Sequence, residues 1–165
     1  MDNQRVILRH CSVGRGVFAL CDIRVGEQIL IFSGPLVTKA HLPVPHTPEN
    51  DYYLQIDDDL FLGPSGELDD YVNHSCEPNS GIVVADAEVR LVAIRHIAAG
   101  DQVCFDYSTA MDDYPWEMAC RCSAPSCRGK IGDFLRLPIE LQERYVTCGV
   151  VPTYILRKLK RTPVP

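Results

Sequence analysis

The stretch Asn73-His-Ser-Cys-Glu-Pro-Asn79 differs from the sequence around it. It is polar, carries one cysteine at its centre, and lies between apolar runs at residues 52–56 and 82–85. Asn, Ser and Pro at this density read as a turn. Taken alone, Asn73 and His74 are a turn-capping pair. A second stretch, Gly100-Asp-Gln-Val-Cys-Phe-Asp-Tyr107, reads as a glycine turn feeding a strand.

Cys76 belongs to a wider question about sulfur. The chain has eight cysteines, at positions 11, 21, 76, 104, 120, 122, 127 and 148. The opening Met-Asp-Asn-Gln-Arg has no apolar core, so no export signal is expected and no oxidising compartment for disulfides. Cys120-Arg-Cys122 and Cys127 form C-x-C-x4-C, and three thiolates this close can wrap one Zn2+ with sulfur at about 2.3 Å. Free or disulfide-bonded cysteines are the alternative. Ala124 and Pro125 supply the bend that chelation by a C-x-C pair requires. A fourth ligand must come from elsewhere, and Cys76 is the only other cysteine in an equally polar, turn-like setting. Cys11, Cys21, Cys104 and Cys148 have apolar or strand-like neighbours and read as buried core thiols.

Most of residues 5–105 read as short strands, at 6–8, 17–20, 28–32, 52–56, 82–85 and 89–94, separated by glycine turns. With no long helices between them, they predict a mainly β chain of several small antiparallel sheets. Ile23-Arg-Val-Gly-Glu-Gln-Ile29 is echoed by Ile97-Ala-Ala-Gly-Asp-Gln-Val103, each a glycine turn entering a strand. Residues 39–51, with three prolines and two histidines, read as a surface loop or lid.

Beyond Ile131 the pattern turns helical. Pro138 and Pro152 suit first helical positions, and Gly149 suits a stop. Leu141, Tyr145 and Cys148, then Ile155, Leu156 and Leu159, give each short helix one apolar stripe. The pair reads as a cap on its own sheet, with a homodimer surface as the alternative. Arg157-Lys-Leu-Lys-Arg161 reads as a solvated helix end, with a localisation or docking patch as the alternative.

The chain has 165 residues, 46% hydrophobic and 23% charged, which suits one compact globular domain. Mean hydropathy is −0.04, and no apolar run approaches the roughly 18 residues of a membrane helix. The net charge of −6 divides unevenly: residues 1–127 hold 8 basic against 19 acidic residues, and residues 128–165 hold 8 against 3. An acidic body argues against direct nucleic-acid binding and suits a basic, lysine-bearing peptide.

Gly14-Arg-Gly-Val-Phe-Ala19, Asn73-His-Ser-Cys-Glu-Pro-Asn79, Gly100-Asp-Gln-Val-Cys-Phe-Asp-Tyr107 and the cluster at 120–127, in this order, resemble the SET-domain protein lysine methyltransferases. The resemblance covers roughly residues 4–129. It implies a SET domain at 4–110, a post-SET zinc segment at 111–130 and a helical extension at 131–165. It also implies a pseudoknot in which the last conserved strand passes beneath a loop. S-adenosylmethionine and a substrate lysine would meet from opposite faces through a narrow channel.

By the same resemblance, Gly14, Arg15 and Gly16 cradle the cofactor, and Asn73 and His74 hold its amino-acid and adenine ends. Tyr53 lies near its methionine end, with a core tyrosine as the alternative, and Asn79 is structural. Tyr107 is the catalytic phenol. Cys76, Cys120, Cys122 and Cys127 are the zinc ligands. Phe105 and Phe32 line the lysine channel, and phenylalanine at 105 implies room for di- or trimethylation. Three departures from the family pattern bear on these roles. Arg15 replaces an aromatic, Ile31-Phe32 stands for Glu-Tyr, and no cysteine-rich segment precedes the domain, which leaves a noncatalytic module binding a basic peptide as the other reading. The expected partner is a histone or ribosomal protein or another basic segment, without membrane contact, at a cytoplasmic site or, in a eukaryote, a nuclear one.

Overall fold

The computed structural model describes residues 5–44, 52–85, 88–112 and 117–160. Its strands are short and follow in chain order: β1 (Val6–Cys11), β2 (Gly14–Ala19), β3 (Gln28–Phe32), β4 (Leu36–Thr38), β5 (Leu54–Asp57), β6 (Leu60–Leu62), β7 (Asn73–His74), β8 (Ser80–Ala85), β9 (Glu88–Ala93), β10 (Cys104–Phe105), β11 (Met118–Ala119) and β12 (Lys130–Ile131). Two helices close the chain, α1 (Ile139–Thr147) and α2 (Thr153–Leu159). Among the described residues, antiparallel pairing builds the β1-β2 and β11-β12 hairpins and the three-stranded sheets β3-β9-β8 and β4-β6-β5. This is the mainly β set of small antiparallel sheets that the strand pattern predicts.

One pairing differs. β7 and β10 run parallel, with Asn73 opposite Cys104 and His74 opposite Phe105. Two residues per strand leave no periodicity to read. Asn79 locks the crossing: its Nδ2 donates to the Gln102 carbonyl at 2.8 Å and its Oδ1 accepts from Cys104 N–H at 2.9 Å. Asn79 is buried, as a structural asparagine should be.

The repeated glycine turns pair with one another. Ile23 and Ile97, both fully buried, exchange backbone hydrogen bonds at 2.8 and 3.0 Å. In each turn an acid after the glycine caps the loop: Glu27 accepts from Arg24 N–H, and Asp101 from Ala98 N–H.

β9 explains how two layers share one sheet. Leu91 and Ala93 point into the main core with Val17, Ile82 and Val103, while Val92 faces the other way, onto the helical pair. Prolines 138 and 152 occupy the N-cap positions, one residue before the first helical positions their sequence suggested. α1 stops in a Schellman turn, in which Gly149 at φ +70° lets its N–H reach Val146 O and lets Val150 N–H reach Tyr145 O. That turn drives Val150 against Gly81 of β8, where a Cβ would lie 2.6 Å from the Val150 Cβ. The helices pack on their own sheet as a cap, with Tyr145, Tyr154 and Ile155 inaccessible.

One further expectation changes. None of the four supposed core thiols is buried: Cys21 and Cys148 are exposed, and Cys11 and Cys104 are intermediate. Apolar neighbours did not turn these side chains inward. In the basic run Arg157, itself exposed, pairs with Asp57 and Asp58, and Lys158 pairs with Asp58 and Asp112, while Arg161 lies outside the described residues. Of the proposed lid, Lys39–His41 form a 3-10 turn and residues 45–51 lie outside the described residues.

Candidate active site

A continuous cleft of about 1030 Å³ runs between the β1-β2 turn, the β7-β10 pair and the segment at 117–122. That is the upper end of the roughly 300–1,000 Å³ of a single-ligand pocket. Gly14, Arg15, Tyr53, Asn73, His74 and Tyr107 all line it, as do Phe32 and Phe105. Gly16 lies behind the wall. A Cβ there would sit 2.4 Å from Gln102 Nε2 and 2.8 Å from Asn73 Nδ2, so only glycine lets the loop pack down. In front, Gly14 at φ +109° has no heavy atom within 4 Å of a Cβ position, which leaves bare backbone facing the cleft. Asn73 Nδ2 holds the loop by donating to the Arg15 carbonyl at 2.8 Å. These backbone groups fit the cofactor cradle that the sequence motif implied.

The Arg15 side chain reaches Tyr71, stacking 4.2 Å from its ring centre and donating to its hydroxyl at 2.7 Å. The departure from an aromatic at 15 is thus answered by a cation on a nearby aromatic. Tyr71 ends a 3-10 turn, Leu68–Tyr71, braced by Asp69, which accepts from Ser33 N–H and Ser65 Oγ.

Tyr107 opens a 3-10 turn, Tyr107–Thr109, N-capped by Asp106. Its ring packs 4.9 Å from Phe105 and 5.3 Å from His74, and Phe105 meets Phe32 edge-on at 5.9 Å. The Tyr107 hydroxyl donates to the Val72 carbonyl at 2.9 Å. Burial pushes the His74 imidazole down to about 4 against the pull of Asp106, with Arg128 adding to the fall. His74 is therefore neutral at pH 7. Its Nδ1 accepts from Tyr107 N–H at 3.2 Å, which puts the ring proton on Nε2, 3.3 Å from Cys76 Sγ.

Asp106 is fully buried. One oxygen accepts from Arg128 at 2.8 Å and from Ser108 N–H at 3.1 Å, and the other from the Tyr145 hydroxyl at 2.9 Å. The sequence motif contained Asp106 without marking a role for it, Tyr145 read only as part of an apolar stripe, and Arg128 carried no signal.

Three of the four expected cysteine ligands gather with His74, and Cys127 lies outside that group. Ligand atoms of His74, Cys76, Cys120 and Cys122 lie within 4.8 Å of one another. Cys76 and Cys120 sulfurs are 3.7 Å apart, the edge of a tetrahedron with arms of about 2.3 Å. Cys127 Sγ accepts from Gly129 N–H at 3.4 Å and interacts with the Cys120 and Cys122 thiols. N–H groups also point at sulfur from Arg128 to Cys76 and from Cys76 to Cys122. Burial raises the Cys122 thiol, but the N–H groups of Cys76 and Ala124 together with the Cys120 and Cys127 thiols bring it down to about 7. A donor set of converging, N–H-solvated sulfurs fits Zn2+.

The family model "SET domain" matches residues 14–108. Histone-lysine N-methyltransferase trr of Drosophila melanogaster is 30% identical over 76% of this chain, which spans 6% of that protein. The Homo sapiens histone-lysine N-methyltransferase, H3 lysine-36 specific, is 30% identical over 76% of this chain and 5% of its own length. Among solved structures, KRYPTONITE in complex with mCHG DNA and SAH superposes with a TM-score of 0.62 at 25% identity, over 76% of this chain and 29% of that one. No helix among the described residues is long and apolar enough to cross a membrane. The matched motifs, the small-sheet fold and the cleft they line agree: the chain belongs to the SET domain family.

Proposed function

We propose that this chain transfers methyl groups from S-adenosylmethionine to the side-chain amine of a lysine in a protein substrate. The observation that carries this reading is the Tyr107 phenol, held by its own proton to Val72 O at the junction of an aromatic channel and a glycine-backed cradle. Gly14, Arg15, Gly16, Asn73 and His74 would hold the cofactor, with Tyr53 at the cleft wall. Bound S-adenosylmethionine would supply a methyl group on a sulfonium: a lysine that has lost its proton to solvent forms the N–CH3 bond in line as the S–CH3 bond breaks, and the sulfur leaves as a thioether.

The energetics favour positioning over base catalysis. Deprotonating a lysine of pKa about 10.4 at pH 7 costs about 4.6 kcal/mol. The apolar walls of Phe32, Phe105 and Tyr107 lower that cost by desolvating the ammonium. Alignment in a channel supplies roughly 7–11 kcal/mol, more than the remaining cost. The Tyr107 oxygen accepts an N–H of the amine and orients its lone pair.

Zn2+ would be held by Cys76, Cys120, Cys122 and Cys127. His74 stands close enough to compete with Cys127, but its Nδ1 accepts from Tyr107 N–H, so Nε2 carries the proton and cannot ligate. It donates to the Cys76 thiolate instead. The ion is structural, tying the 73–79 loop to the segment after Tyr107.

The unequal charge of the body and the relatives' names support a histone tail or another basic segment as substrate, in a nuclear setting, and the phenylalanine at 105 supports di- or trimethylation. The division at 4–110, 111–130 and 131–165 follows the same reading. The test is mass spectrometry of lysine-bearing basic peptides incubated with S-adenosylmethionine and zinc-loaded protein, with lysine-to-arginine peptides alongside. Methylation of lysine peptides alone is the expected result. Peptide binding without methylation would favour the noncatalytic module.

A further inference from the structure

The turn that carries Tyr107 is held at both ends by the helical pair. On its N-terminal side, the Tyr145 hydroxyl of α1 donates to Asp106 Oδ2 at 2.9 Å. On its C-terminal side, the Tyr154 hydroxyl of α2 donates to the Ala110 carbonyl and lies 3.2 Å from Gln55 O of β5. Both tyrosines are 1% exposed, and Asp106 and Ala110 are fully buried. Burial raises both phenols above their ordinary range, so each stays a proton donor. Two residues beyond Ala110, Asp112 pairs with Lys158 of α2, and the Asp112 N–H donates to Gln55 Oε1 at 2.9 Å.

The two tyrosines lie beyond the stretch matched by the family model, which ends at residue 108, and reach back to Asp106 and Gln55 inside it. The Schellman turn and the fit of Val150 over Gly81 fix the helices on the β8-β9 sheet. The sheet, the helices and the turn thus form one rigid path to the phenol. We propose that α1 and α2 are a positioning device for Tyr107, with Tyr145 and Tyr154 as positioning residues that bracket its turn. Neither tyrosine lines the cleft. Each acts by fixing where the Tyr107 oxygen stands, and a displacement too small to unfold the chain reduces alignment with the amine. The inference rests on the reading of Tyr107 as the catalytic phenol.

The test uses the full zinc-loaded chain as wild type, Tyr145→Phe, Tyr154→Phe and, as a packing control, Leu156→Ala. Amide exchange is followed at Thr109 and Ala110, whose N–H groups close the turn onto Asp106 O and Tyr107 O. Both phenylalanine variants should speed exchange there about tenfold, the scale of one lost hydrogen bond, with β8-β9 protection unchanged. In methyl transfer they should lower kcat about tenfold with peptide KM within about twofold. Leu156→Ala should cost thermal stability without that kcat-against-KM split. Unchanged exchange at the turn in both variants, or equal acceleration of turn and sheet, would overturn the proposal. A wild type that binds cofactor and transfers no methyl would refute the functional reading instead, while the exchange data would still decide the bracketing.

Discussion

The backbone N–H of Tyr107 donates to Nδ1 of His74 at 3.2 Å, and the far nitrogen of the same ring stands 3.3 Å from Cys76 Sγ. One imidazole therefore joins the turn bearing the phenol to the cysteine cluster. Its buried, neutral state makes the connection directional: it accepts from the turn and donates to sulfur.

Metal removal should reach the site before it reaches the core. The cluster ties the 73–79 loop to residues 120–129, whereas the two cores are built from other side chains. Chelation should abolish methyl transfer while helical circular dichroism and a cooperative melt remain. Cys127→Ser should lose the ion by metal analysis, and His74→Gln should retain it. Simultaneous loss of activity and fold would make zinc a general staple.

Gly16→Ala should weaken S-adenosylmethionine binding. The new methyl group would meet Gln102 Nε2 and Asn73 Nδ2, and Asn73 is the group that shapes the loop at Arg15. Overpacking of this kind costs about 1–3 kcal/mol, so calorimetry should show at least about fivefold lower affinity with the fold retained.

Phe105→Tyr should lower the methylation state. The Phe105 ring lies 4.9 Å from Tyr107 and 5.9 Å from Phe32, and an added hydroxyl takes up channel space between them. Wild type should carry a lysine peptide to the di- or trimethyl form, and the variant should stop at monomethyl. Mass spectra at exhaustive turnover decide it. Monomethyl product from wild type would refute the expectation.

Thiol reactivity should separate the cysteines. Burial, then the neighbouring Cys11 and Cys122, push the Cys104 thiol up to about 12, and only the thiolate reacts. At pH 7.5 Cys104 should alkylate at least about a hundredfold more slowly than exposed Cys21 and Cys148, as followed by peptide mapping. Rapid labelling of Cys104 would contradict the desolvation of its sulfur.

How much of this was legible depends on the kind of signal. Longer strands such as β3, β8 and β9 announced themselves by apolar runs between glycines, and Gly149 announced the end of α1. The cysteine cluster was visible from spacing. β4 and β6 have three residues each, too few to alternate, and β7 and β10 have two, so only the motif marked them. Tyr145 read as one member of an apolar stripe because its ring does pack that way, while its hydroxyl finds Asp106 at 39 residues' separation. Such a bond leaves no period in the sequence. Cys21 and Cys148 misled for a related reason: neighbours set composition, but the backbone sets which way a side chain points.

The measurement that tests the central claim most directly is methyl transfer by Tyr107→Phe at saturating S-adenosylmethionine, with cofactor affinity measured on the same protein by calorimetry. Loss of the phenol oxygen should leave affinity within about threefold and slow transfer at least about a hundredfold, the share expected of a group that acts in the transition state. Transfer at the wild-type rate with full cofactor occupancy would contradict the role assigned to Tyr107.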